Sequence, residues 1–212
     1  DSFPLDSWMN SNSSSWLEHS INELSWLDKS EIVFTSGGSE SNSTAILGTV
    51  LNRLSQQKKC HIITSVIEHH SVLNACKAAE RYGVKVTYLN VDSFGFVDEK
   101  QLAEVLCKDT VFVSVMMSNN EIGTLQHIDS LCKIVKEYND DIVFHSDAVQ
   151  AFGNIPIDVR KLNIDMLSAS AHKFGGPKGV GFLYCKNGVN LDSIIYGGRQ
   201  ERGFRGGTTN VP

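Results

Sequence analysis

The sequence predicts an α/β fold: a mostly parallel sheet with helices on both faces, in three layers. Two observations carry this prediction, and a third gives it functional content. Short apolar, β-branched runs recur along the chain, and segments of helical spacing lie between several of them. Near-continuous apolar runs are the mark of strands buried on both faces, which a helix-covered parallel sheet requires. The polar motifs fall at the carboxyl ends of the runs, where open sheets of this kind place their ligands.

The runs occupy residues 31–35, 61–66, 85–91, 110–117, 142–145, 165–168 and 179–185. Between them Ile46, Val50 and Leu54 repeat at four, and Ile128, Leu131, Cys132 and Val135 at three and four; the stretch with Val72, Cys76 and Ala79 does likewise. Such spacing stacks apolar side chains on one helical face. Residues 1–16 are rich in Ser, Asn and isolated Trp without a period, so an irregular lead-in is expected there, followed by a single domain over 17–212. A chain of 212 residues supplies one substantial core.

Composition narrows the function classes. Hydrophobic residues at 41% and charged residues at 20% are ordinary for a soluble globular protein. A formal charge of -5 offers no general attraction to nucleic acid or anionic lipid. No apolar run approaches the roughly 20 residues of a membrane helix. The five cysteines lack paired spacing, and Asp1-Ser2-Phe3-Pro4-Leu5-Asp6 lacks the basic and apolar regions of a secretion signal. Reduced thiols in the cytoplasm, or in a mitochondrion of a eukaryotic cell, are therefore expected, most of them as small core residues.

Chemistry is concentrated at five strand ends and in one late loop. Thr35-Ser36-Gly37-Gly38-Ser39-Glu40-Ser41-Asn42 joins a strand to a helix, so its glycines and free amides suit a phosphate, although a plain capped turn reads the same way. Ile67-Glu68-His69-His70-Ser71 offers an imidazole able to lie on a ring and move a proton, or simply to cap a helix. Adjacent histidines rarely converge on one ion, and without HxxxH or Cys/His spacing no metal is expected. Met117-Ser118-Asn119-Asn120-Glu121 brings amides that orient a ligand or build a turn.

In Phe144-His145-Ser146-Asp147-Ala148-Val149-Gln150 the alternation of a strand sets His145 and Asp147 on one face. One strand unit later, Ser168-Ala169-Ser170-Ala171-His172-Lys173-Phe174 holds a lysine among small residues, ahead of a glycine-rich run. A Schiff-base lysine together with an aspartate on the pyridinium nitrogen is the equipment that holds pyridoxal 5′-phosphate. Burial and neighbouring cations are expected to make Lys173 nucleophilic. The loop Tyr196-Gly197-Gly198-Arg199 through Gly207-Thr208 is compatible with a flexible connection or with anion binding.

Taken in order, "EIVFTSGGSESN", "IEHHSVLNACK", "VSVMMSNNEIG", "FHSDAVQ", "SASAHKFGGPKG" and "GGRQERGFRGGT" resemble the cysteine desulfurases and selenocysteine lyases, within the class V aminotransferase-like enzymes of pyridoxal-phosphate fold type I. The resemblance implies the large domain of that fold, normally homodimeric. It implies Lys173 as the Schiff-base lysine, His69 as the ring-stacking acid and base, and Asp147 at the pyridine nitrogen. Asn120 and Gln150 would contact the cofactor's phenolic oxygen or the substrate. Gly38, Ser39, Ser170 and His172 would hold the phosphate, with Thr208 supplied by the partner subunit.

The activity implied is removal of sulfur from L-cysteine as a persulfide, leaving alanine, for iron–sulfur cluster assembly or other sulfur transfer to an acceptor or scaffold protein. The alternatives are a selenocysteine lyase and a truncated module that binds cofactor or dimerises without turnover. Ser39 replaces the usual threonine and keeps the hydroxyl, Gly175 stands where an aromatic residue is common, and Arg199 replaces a glycine. An Ala-Thr-Thr-Pro-like motif is not recognisable in residues 1–16. The small carboxyl-terminal domain, with its substrate-binding arginine and sulfur-accepting cysteine, is expected to be absent, and none of the five cysteines is assigned that role.

Overall fold

Each of the seven apolar runs forms a strand, and the computed structural model describes them within residues 28–208. The expected lead-in at residues 1–16 lies outside the described residues. In chain order the elements are β1 (Ile32–Thr35), α1 (Gly38–Ser55), β2 (His61–Ser65), α2 (His70–Glu80) and β3 (Lys85–Leu89). They continue with α3 (Glu99–Val105), β4 (Thr110–Ser114), α4 (Ile128–Tyr138), β5 (Val143–Asp147), β6 (Met166–Ser170) and β7 (Gly181–Cys185).

The strands form one sheet in the order β1-β7-β6-β5-β4-β2-β3. Pairs β2/β3, β2/β4, β4/β5 and β5/β6 are parallel, whereas β7 runs antiparallel to both β1 and β6. The mostly parallel sheet is therefore as expected, with β7 alone reversed. That reversal brings the start of β7 beside the carboxyl ends of β1 and β6, pairing Gly181 with Thr35 and with Ser170.

Alternation along the strands feeds two cores. On one face Ile62, Phe112, Met166 and Leu183 pack with Ile46 and Val50 of α1 and Val72 and Cys76 of α2. On the other, Ile63, Val113, Phe144 and Leu167 meet Leu102 of α3 and Leu131, Cys132 and Val135 of α4. All five positions of β2, β4 and β6 are buried, which is why these runs read as continuous rather than alternating. The cysteines follow the same logic: Cys60, Cys76, Cys132 and Cys185 are buried, and Cys107 is half-buried.

Local signals set the helix starts. Asp98 caps α3 by accepting from Lys100 N and Gln101 N. The short α3 was not expected from the sequence, because within its seven residues only Leu102 is buried and no period develops. Among the described residues no helix is long and apolar enough to cross a membrane.

His145 belongs to the core. Its Nδ1 lies 2.9 Å from Ser114 Oγ and its Nε2 2.9 Å from Ser168 Oγ, and its ring stacks on Phe112 at 5.8 Å. Burial pushes its pKa down to about 3, against 6.5 ordinarily. The unfolded chain thus takes up a proton near pH 6.5 that the folded chain refuses, and stability is lost as pH falls below that value. The expected contribution is up to about 1.4 kcal/mol per pH unit. Urea denaturation between pH 7 and pH 5 should show a shallower loss in His145→Gln than in the unsubstituted chain; equal slopes would contradict the assignment.

Candidate active site

At the carboxyl edge of the sheet a cavity of about 420 Å³ is lined by Gly38, Ser39, Asn42, His69, Ser71, Met116, Asn120, Asp147, Val149, Gln150, Ser170, His172 and Lys173. Every candidate residue read from the sequence lies on it except Thr208, an exposed residue that is not part of this lining. Five strand ends contribute, and each does so for a local reason.

The first wall is the start of α1. Gly37 adopts a φ of 149°, open to glycine, and the Ser36 amide is taken by Glu40 Oε2 at 2.8 Å, so the chain turns sharply from β1 into the helix. A side chain at Gly38 would collide with Val149, its Cβ 2.5 Å from Val149 Cγ2. The bare backbone makes room for Val149, and the free amides at the start of an 18-residue helix lie on the cavity lining. From the other side comes Ser170, whose Oγ is 3.0 Å from His172 Nδ1. Gly38, Ser39, Ser170 and His172 therefore form a corner rich in hydrogen-bond donors.

The floor is Asp147, the last residue of β5, 4% exposed. Its Oδ1 accepts from Val149 N at 2.9 Å and its Oδ2 from Asn42 Nδ2 at 2.7 Å. Burial pushes its pKa above the ordinary carboxylate value, against the pull of these two donors and of the nearby His69. A cation facing Asp147 from the cavity would relieve that penalty. Asn42 stands four residues along α1 from Gly38, about 6 Å of helix rise, which sets the donor-rich corner and the carboxylate one turn apart.

The third wall is His69, which caps α2: its Nδ1 accepts from Ser71 N at 3.1 Å and lies 2.7 Å from Ser71 Oγ. Capping and facing the cavity thus coincide in one residue, while His70 is exposed and off the lining. In the neutral ring the proton consequently sits on Nε2. Asn42 Nδ2 also donates to Ser71 Oγ at 2.8 Å, so one amide connects the carboxylate of Asp147 with the imidazole of His69.

The two asparagines after β4 divide the labour. Asn119 is buried and builds the turn, accepting from the amides of Glu121 and Ile122 and donating to Ile67 O at 2.9 Å. Asn120 is exposed and faces the cavity. Lys173 closes a short 3-10 turn, Ala171–Lys173, directly after β6. It is exposed, which corrects the expectation of burial, since the glycine-rich turn behind it leaves the amine open on the cavity side. Asn42, Ser71, Met116 and Val149 were not identified from the sequence; for Asn42 the signal was its i, i+4 relation to Gly38 on one helical face. Among the described residues no group of three or more His, Cys, Asp or Glu is arranged to hold a metal.

The chain matches the family model described as aminotransferase class-V over residues 18–212. Among curated proteins it is 54% identical over 181 residues to the cysteine desulfurase IscS of Dictyoglomus turgidum, covering 85% of this chain and 45% of that protein. It is 51% identical over 185 residues to the cysteine desulfurase IscS of Methanosarcina thermophila, covering 87% and 45%. Among solved structures a NifS-like protein superposes with a TM-score of 0.85 at 42% identity, over 92% of this chain and 53% of that one. The chain spans about half the length of the curated relatives it matches.

The close approach at the donor-rich corner gives a direct test of its geometry. A Cβ on Gly181 would stand 2.6 Å from Gly37 Cα and 2.7 Å from Ala169 O, both backbone atoms that cannot swing away. Gly181→Ala should therefore destabilise the chain by about 1–3 kcal/mol in chemical denaturation. Wild-type stability in this variant would show that β7 does not press on the β1–α1 turn.

Proposed function

The chain belongs to the class V aminotransferase family, and on that premise we propose that it carries the cofactor site of a pyridoxal-phosphate-dependent cysteine desulfurase acting on L-cysteine. The observation that supports this most is the sharing of one cavity by the buried Asp147 carboxylate, the open Lys173 amine and the donor-rich start of α1. The residues fit the group: a carboxylate penalised by burial suits a cation, and the free amides at the start of α1 beside Ser39 and Ser170 suit an anion. Bound there, pyridoxal phosphate supplies an electron sink for bonds at the substrate's Cα.

In this reading Lys173 Nζ is the amine that holds the cofactor's aldehyde carbon. Gly38, Ser39, Ser170 and His172 receive the phosphate, using the helix amides and dipole of α1. Asp147, held from behind by Asn42 and Val149 N, would keep a proton on the ring nitrogen. His69, fixed at Nδ1 by Ser71 and lying on the cavity lining, would stack against the ring and hold or move a proton at Nε2. Asn120 and Gln150 orient the ring oxygen or the substrate. Thr208, off the cavity of its own chain, is assigned to the phosphate of a second subunit in a homodimer. The cofactor-binding domain is assigned to residues 17–212, and a thiol of an acceptor or scaffold protein would take the sulfur as a persulfide, leaving alanine.

Adding pyridoxal phosphate to the purified chain should give a visible absorption band distinct from that of free cofactor, and Lys173→Ala should lose it. An unchanged spectrum in the variant would remove Lys173 from its role. In the same assay Asp147→Ala should weaken cofactor binding on the order of tenfold or more, the loss expected when a charge-assisted partner is removed. Formation of alanine from L-cysteine, with sulfide released from the resulting persulfide by an added thiol reductant that is oxidised to its disulfide, tests the reaction itself, and faster turnover of selenocysteine would favour the lyase instead.

A further inference from the structure

A second buried acid stands behind the cavity, and the roles above leave it unused. Glu68 is 4% exposed, immediately before the His69 cap. Its Oε1 accepts from Ser65 Oγ at 2.7 Å and from Met116 N at 2.8 Å, whereas its Oε2 has no hydrogen-bond partner among the described residues. Ser65 ends β2, and Met116, two residues beyond β4, lines the cavity. One carboxyl oxygen therefore ties the segment carrying His69 to the segment carrying Met116 and Asn120. Asn119 closes the same seam one step further out, through its bond to Ile67 O.

We propose that Glu68 is a positioning residue of the pocket, fastening the His69 wall to the Met116 wall through its carboxyl oxygen. The inference rests on the cofactor reading for what these walls grip, but the fastening itself is independent of any ligand. Glu68 performs it as a neutral acid. Asp147 faces it from β5 and Cys76 from α2, while His69 is its chain neighbour. Burial is the main cause that holds its proton to about pH 8, and the negative charge of Asp147 adds to it. Neutrality leaves Asp147 as the anion available to a cofactor ring.

The unfolded chain releases this proton near pH 4.5 and the folded chain near pH 8, so between these values the folded state binds more protons and stability falls as pH rises. Glu68→Gln keeps an accepting oxygen without the proton equilibrium, whereas Glu68→Leu removes the acceptor.

Three readouts on the full chain separate the possibilities. In ligand-free protein, Glu68→Gln should retain slow hydrogen exchange at the Met116 amide, and Glu68→Leu should lose protection on the order of tenfold, as expected for an orphaned buried donor. The melting temperature of Glu68→Gln relative to wild type should rise between pH 5 and pH 8. With pyridoxal phosphate, the induced visible circular dichroism should match wild type in Glu68→Gln and change in Glu68→Leu. Wild-type Met116 protection or a wild-type dichroic band in Glu68→Leu would overturn the proposal. Where Glu68→Leu does not fold, the pH comparison decides, and parallel profiles for Glu68→Gln and wild type would overturn it. A wild-type chain that binds no cofactor, with the exchange result intact, would sink the cofactor reading and leave the Glu68 fastening in place.

Discussion

Asp147 is the constraint around which the site is organised: a carboxylate at the end of a central strand, almost wholly removed from water and given two donors. Burying a charge without a full set of partners is expensive, and folded chains avoid it unless something else settles there. Asn42, Ser71 and His69 form a hydrogen-bonded line leading away from this group along the cavity wall. The sheet explains how such a residue can be held. β5 lies between β4 and β6, so the end of the strand is fixed on both sides before its last side chain is asked to do any chemistry.

The antiparallel β7 is the second organising feature. In a wholly parallel sheet the strand beside β6 would present its carboxyl end to the cavity. Here β7 presents its first residue, Gly181, pressed against Gly37 at the turn into α1. The donor-rich corner thus depends on two glycines in different parts of the sequence meeting across the sheet. The loop after Gly197 reinforces the same region from outside. Arg205 Nε donates to Glu40 Oε1 at 2.9 Å, and Glu40 in turn holds the Ser36 amide.

The strands were legible in the sequence because burial on both faces leaves adjacent apolar residues without alternation, as Ile62-Ile63 in His61–Ser65 and Val111-Phe112-Val113 in Thr110–Ser114. The direction of β7 was not, since a strand buried among neighbours has the same composition whichever way it runs. The short α3, capped by Asp98 but burying only Leu102, left no period to read. Within the cavity, titratable and hydroxyl-bearing residues at strand ends were recognisable by type. Asn42 and Ser71 were not, because their importance lies in whom they touch: a helical amide reaching a strand's carboxylate is a tertiary fact. The same holds for Asn119 and Asn120, chemically identical neighbours that the turn sends to opposite tasks, and for Lys173, whose open placement follows from the glycine-rich turn behind it.

Chemical trapping tests directly whether Lys173 holds the cofactor. The chain is incubated with pyridoxal phosphate, reduced with borohydride to make the attachment permanent, and digested for mass mapping. A pyridoxyl group is expected on the peptide containing Lys173. Modification only at other lysines, or none above the level of a denatured control, would contradict it.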